Sequence, residues 1–185
     1  MKMLLVLLAL ATPLFAQVAP PPGTVATPPV TPTAAKPKPL AAGDKKFVKD
    51  ALDSMFYELE LTGKTKDRMK VEATKTVSNT IKGDLDKVWA EVADLASKHD
   101  EKIPTVLAGG DKQKAEKLGK VKDKFDSEFL KLAGSEAGKL AKTFETAAKS
   151  AADPDIKKVA NTWAPTLKDH VTKIDAAEKE AAKSK

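Results

Sequence analysis

Residues 153–182 read DPDIKKVANTWAPTLKDHVTKIDAAEKEAA. Wound at 100° per residue, Ile156, Val159, Ala160, Trp163, Leu167, Val171, Ile174 and Ala177 share one face, and most of the charged side chains take the other. An apolar stripe of this kind must be buried against another element. Asp153 is placed to cap the helix start, and Pro154 suits the first helical position, where its missing amide costs nothing. The spacing predicts a helix over 154–182. Pro165 lies inside it and withholds one amide, which predicts a bend near Asn161–Trp163. His170 falls about 20° from Trp163, within the apolar face.

The same period occurs three more times upstream. Over 45–64 the stripe is Phe47, Val48, Ala51, Leu52, Met55, Leu59 and Thr62, with Asp44 as the expected cap. Over 71–98 it is Val77, Ile81, Leu85, Val88, Val92 and Leu95, with Trp89 on the shoulder. Over 112–150 it is Leu118, Phe125, Phe129, Leu132, Ala133, Leu140, Phe144 and Ala147, with Gly134 and Gly138 on the expected outer face. The connections at 65–70 and 151–153 are short, so their helices should be antiparallel neighbours. The connection at 99–111 is longer and holds Pro104, Gly109 and Gly110. No alternating strand pattern occurs. The expected domain is all-α: an antiparallel four-helix bundle over 44–185.

The chain opens differently. A charged start, Met1–Met3, precedes the apolar run Leu4–Ala11 and a small residue at Ala16. This reads as a signal peptide over 1–16, cleaved after Ala16. The run is too short for a spanning helix, which needs about 20 apolar residues. Residues 17–43 then carry eight Pro among 27 positions, so a polyproline-like, disordered linker is expected.

Composition narrows function. The chain has no Cys among its 185 residues, so thiolate zinc sites, iron–sulfur clusters, Cys nucleophiles and a lipid-anchoring Cys are excluded. Half of the formal charge of +6 belongs to leader and linker. Removing Lys2, Lys36 and Lys38 from the 32 basic residues leaves 29 against 26 acidic, interspersed along helices. That is a solvated surface, and a nucleic-acid partner is not expected. The Lys-rich stretches 112–124 and 179–185 leave anionic envelope polymers as a candidate partner.

Three stretches resemble a bacterial exported family of unknown function described as ferritin-like and associated with the outer membrane. They are Phe47–Ala51 (FVKDA) with Glu58–Leu61 (ELEL), Phe125–Leu130 (FDSEFL), and Pro165–His170 (PTLKDH), in which His follows Pro-Thr-Leu. The resemblance spans about 44–180. It implies a four-helix bundle in the periplasm or envelope. It also implies His after an acid in the second helix and another His in the third. This chain has Leu85 after Asp84 and Ala137 after Glu136 at those places.

A ferritin-like di-iron site needs Glu-x-x-His pairs. His170 has Leu167 three positions before it and His99 has Ala96, so the ligand set is incomplete and no cofactor is expected. Gly134–Gly138 (GSEAG) has the wrong order for a serine-hydrolase elbow, and Asp169–His170 are helix neighbours that point apart. No catalytic residues are expected. Glu58 also falls within its helix's apolar arc. Counted from the ends of an antiparallel pair, it sits at the height of His170, with Glu136 near the same level. A buried imidazole needs a partner. One reading is a Glu58–His170 pair that fixes register; the other is a remnant metal or small-ligand site of Glu58, His170 and Glu136. His99, at the end of the second helix, reads as a cap or an exposed side chain. The sequence therefore leads to a non-enzymatic exported bundle that binds another protein or an envelope polymer, or has a structural role. A ferritin-like metal binder with a reduced site is the alternative.

Overall fold

The computed structural model describes residues 38–183. The expected signal peptide and most of the expected linker lie outside them. All regular structure among the described residues is helical: α1 (Ala42–Thr65), α2 (Glu72–Lys98), α3 (Gly109–Lys120), α4 (Phe125–Ser150) and α5 (Pro154–Lys183). A single 3-10 turn, Lys66–Arg68, separates α1 from α2. No helix among these residues is long and apolar enough to cross a membrane.

The stretch expected as one third helix is two. A continuous helix over 112–150 would be about 58 Å long, whereas α2 spans about 40 Å at 1.5 Å per residue. The chain breaks where Val121 turns extended and Lys124 adopts a left-handed conformation, φ 57°. Asp100 shares that φ, and these two are the only non-glycine residues with positive φ among those described. They bracket α3 and the loop before it.

α1 packs on α2 and α4, and α5 packs on the same two helices. The order round the core is therefore α1, α2, α5, α4. Two buried aspartates fix the directions. Asp126, in the first turn of α4, accepts the amides of Lys70 and Val71 ahead of α2 at 3.0–3.2 Å. Asp44, in the first turn of α1, accepts the amides of Ala152 and Asp153 ahead of α5 at 3.1 and 2.8 Å. Thus α2 and α4 start at one end, and α1 and α5 start at the other. Segment 99–124 returns along the length of the domain, and α3 is the helical part of that crossover.

Asp44 does not cap its own helix. The α1 cap position is Ala41, which offers no side-chain bond, and Asp44 serves the amino end of α5 instead. Asp153 does cap α5, accepting the amides of Asp155 and Ile156 at 2.9 and 3.1 Å. An aspartate cap of this kind contributes about 1 kcal/mol. Near the same end, His99 is the carboxyl cap of α2. Its Nδ1 lies 2.7 Å from the Lys38 carbonyl and its Nε2 lies 3.7 Å from Asp153, which stitches the chain entering α1 to the start of α5.

The core contains Val48, Leu52, Met55, Leu85, Val88, Leu130, Phe144, Ile156 and Leu167. Each large side chain contributes about 1.5–3 kcal/mol by leaving water. Phe47 and Phe144 meet edge to face at 5.1 Å. Trp89 and Trp163 are half-buried rather than central, and Trp89 leans on Phe56 with ring centres 6.0 Å apart. Gly134 is not on an outer face. A Cβ there would stand 3.3 Å from Ile174 Cγ2, so the missing side chain allows α4 and α5 a close approach. α5 continues helical through Pro165.

Candidate functional site

Four ionisable residues lie at one level, one from each long helix. Glu58 and His170 are each 16 residues from the starts of α1 and α5; Asp84 and Glu136 are each 14 residues before the ends of α2 and α4. Because α1 and α5 start at the same end, they run parallel and face each other across the diagonal. The shared height of Glu58 and His170 survives this change of direction, but the expected pair does not form. Helix order sends each residue to a different neighbour.

His170 turns to α2. Its Nε2 lies 3.2 Å from Asp84 Oδ2, and no part of the imidazole residue is exposed. Asp84 is at the rim, its side chain 23% exposed, and it also accepts from Lys87 at 3.2 Å. Burial pushes the imidazole below its ordinary range, and its hydrogen bond to the Asp84 carboxylate only partly opposes this. Burial alone would raise Asp84, but hydrogen bonds from His170 and Lys87 outweigh it and hold the carboxyl low. The geometry is that of a neutral ring donating from Nε2 to a carboxylate. Nδ1 is buried without a protein partner.

Glu58 and Glu136 form the second centre, between α1 and α4. Glu58 is buried, and its Oε1 has no hydrogen-bond partner. Burial, followed by the charge of Glu136, pushes its carboxyl up to about 8. It is therefore mostly protonated at neutral pH. It borders a cavity of about 10 Å³ shared with Ser78 and Phe129, roughly the size of one water molecule. Glu136 lies among cations: Lys114 of α3 and Lys139 both reach its Oε1 at 2.9 Å. Lys114 also bonds Asp111 at 2.8 Å and stands 5.4 Å above the Tyr57 ring. The hydrogen bonds it donates to Asp111 and Glu136 keep its ammonium charged well above the ordinary lysine range. Tyr57 is buried with its hydroxyl unpartnered, and burial raises its phenol above the usual range.

The sequence reading identified Glu58, Glu136 and His170 but missed Asp84, Tyr57 and Lys114. Asp84 and Lys114 look like ordinary surface charges in a helical wheel. Tyr57 lies next to Glu58, at the edge of the α1 arc. Its neighbour was a signal that could have drawn attention to it. Leu85 and Ala137, where the resemblance places imidazoles, are buried in the same layer. They fill with aliphatic carbon the positions that would have carried ring nitrogens. Among the described residues, no group of three or more His, Asp or Glu is arranged to hold a metal ion.

No curated protein matches the chain. Among solved structures it is similar to the crystal structure of a DUF305 fragment from Deinococcus radiodurans, with a TM-score of 0.66 and 10% identity. The likeness covers 77% of this chain and 99% of that one, and at this identity it concerns the fold alone. The family model described as "Domain of unknown function (DUF4142)" matches residues 29–177, a span that takes in both polar centres. The chain therefore belongs to the DUF4142 family of domains of unknown function.

Proposed function

We propose that the chain is an exported helical-bundle protein whose domain acts through binding or structure in the envelope and performs no catalysis. In this reading residues 1–16 direct export, 17–43 hold the domain on a Pro-rich tether, and 44–185 do the work in the periplasm or outside the cell. One observation carries the non-catalytic part: the mid-level ionisable groups are either paired within the chain or shut away from solvent. His170 has Asp84, Glu136 has Lys114 and Lys139, and Glu58 keeps its own proton. Groups held in this way tie helices together, and the atoms left without partners, His170 Nδ1 and Glu58 Oε1, are buried away from a substrate in solution.

The second reading is a ferritin-like metal binder with a reduced site around Glu58 and His170. Two observations favour it. The long crossover between α2 and α4 is the connection that ferritin-like bundles use, and the polar layer draws one residue from each long helix. Metal analysis of the purified protein by mass spectrometry separates the two. The first reading expects no stoichiometric metal. Stoichiometric iron, manganese or zinc that disappears in Glu58→Gln would overturn it. Amino-terminal sequencing of the exported product tests the address, with Gln17 expected as the first residue.

A further inference from the structure

Folding gathers charge that the sequence spreads out. Residues 38–183 carry 29 basic and 26 acidic side chains. The stretches 65–71 and 116–126 hold seven of those basic residues and four of the acidic ones. The remaining 22 of each sign balance, so the whole formal excess lies in these two stretches. They are 50 or more positions apart in the chain, yet they are bound to each other. The Arg68 guanidinium donates to the carbonyls of Leu118, Gly119 and Val121 and lies 4.1 Å from the Phe125 ring. In return, Asp126 accepts the amides of Lys70 and Val71. The end of the bundle where α2 and α4 start therefore presents Lys66, Lys70, Lys117, Lys120, Lys122 and Lys124 together. All six are exposed, and no carboxylate among the described residues pairs with their ammonium groups. The nearby acids Glu60, Glu72 and Glu128 already pair with Lys64, Lys75 and Lys131. Asp67, Glu116 and Asp123 are the exposed acids of the patch, and the buried Asp126 is taken up by amides. The chain enters α1 at the opposite end, beside His99 and Asp153.

We propose that this basic end is a docking surface for an anionic lipid leaflet, with its lysines taking the headgroup phosphates. Each lysine near such a leaflet strengthens binding about fivefold, and several acting together hold a protein that one would not. Arg68 and Asp126 fix the two stretches against each other before any partner arrives, so little ordering is left to oppose binding. A second feature favours a lipid over a phosphate polymer. Lys117 and Lys131 also line a cleft of about 360 Å³ between α3 and α4, whose apolar wall is Leu118, Val121 and Leu132. A leaflet has an apolar part to offer that wall, and a phosphate polymer has none. Stacking on nucleobases is not on offer, because Phe125 is the only aromatic residue of the two stretches and it is buried. With no membrane-crossing helix among the described residues, the contact is peripheral. The inference rests on reading the domain as a binding module in the envelope, and it names the surface and the partner of that module.

Cosedimentation of the full chain with vesicles tests it. Vesicles of equal parts phosphatidylglycerol and phosphatidylcholine should bind the protein at least about tenfold better than pure phosphatidylcholine. The binding should fall steeply as salt rises. Lys66→Gln, Lys120→Gln and Lys122→Gln combined should weaken it about a hundredfold. Lys149→Gln, Lys157→Gln and Lys158→Gln combined remove the same charge from exposed lysines at the opposite end and should leave it nearly unchanged. Equal binding to the two kinds of vesicle would overturn the proposal, and so would equal losses in the two triple variants. Binding to soluble polyphosphate without binding to vesicles would replace the lipid by a polymer and overturn it too. These failures are distinct from that of the parent reading, which falls only to stoichiometric metal.

Discussion

The two polar centres share a level but solve burial in opposite ways. Between α2 and α5, a buried imidazole meets a carboxylate at the protein rim, and water helps solvate the charged partner. Between α1 and α4, two carboxyls meet in the interior. One accepts from Lys114 of α3 and from Lys139 of its own helix; the other avoids charge by keeping its proton. The first centre depends on nothing outside the long helices, whereas the second depends on an appended helix. An unpaired buried charge is costly enough that the side chain changes its protonation state instead. The difference therefore lies in where each acid sits relative to water, and hardly in its residue type.

The largest expected effect concerns the acid pair. Glu58 has a folded pKa near 8 against an ordinary value of 4.5. The protonated form is the one the fold favours, so stability is fully present below about pH 4.5. It declines as pH rises toward 8 and is flat above. At about 1.4 kcal/mol per unit the ceiling is about 5 kcal/mol. Glu58→Gln, which mimics the protonated acid, should abolish that decline and exceed the wild type in stability at pH 8. Urea melts at pH 4.5, 6 and 8 measure it, and parallel slopes in the two proteins would break the contrast.

Next comes the imidazole. His170→Ala removes a fully buried side chain and its bond to Asp84, an expected loss of about 3 kcal/mol. The melting temperature in metal-free buffer should fall accordingly. An unchanged melting point would mean that the α2–α5 contact does not depend on the pair. Arg68→Ala comes third, at about 1–2 kcal/mol, because it strips three carbonyl contacts from the end of α3 and the stacking on Phe125. Its signature should be local: faster amide exchange in α3, with α5 unaffected.

How much of this was legible in the sequence follows from what a helical wheel can carry. Periodicity gave the four long stripes, because burial of one face is a local property; α5 begins where Asp153 and Pro154 placed it and ends within one residue of the expectation. The polar candidates Glu58 and His170 were visible as charges in apolar arcs. Their partners were not, because partner choice depends on which helices are adjacent, and that depends on the crossover. Reading 112–150 as one helix concealed the crossover. It turned α1 and α5 into an imagined antiparallel pair and made Lys114 look like a solvated lysine. Asp44 and Asp126 show the same limit. Each sits in a first turn, where a wheel suggests a local cap, yet each binds amides more than 50 positions away in the chain.

The smallest effect sharpens the comparison most. Asp84→Asn keeps an acceptor opposite His170 Nε2, so at pH 8 the loss should be only about 1 kcal/mol, the difference between a charge-assisted and a neutral hydrogen bond. Acid should enlarge it. The folded pKa of His170 lies below 6.5, so its contribution is complete above 6.5 and is lost as pH falls toward the folded value. Asp84 is the main group that opposes this depression, through its hydrogen bond and its charge, ahead of the charge of Asp169. Removing the charge lowers the folded value further and widens the pH window over which stability drains away. Thermal melts of Asp84→Asn and wild type should therefore diverge progressively below pH 6.5, while melts of Glu58→Gln and wild type diverge in the alkaline direction. If Asp84→Asn instead tracks the wild type from pH 8 to 5, the carboxylate does not control the imidazole, and the α2–α5 centre is held by packing rather than by charge.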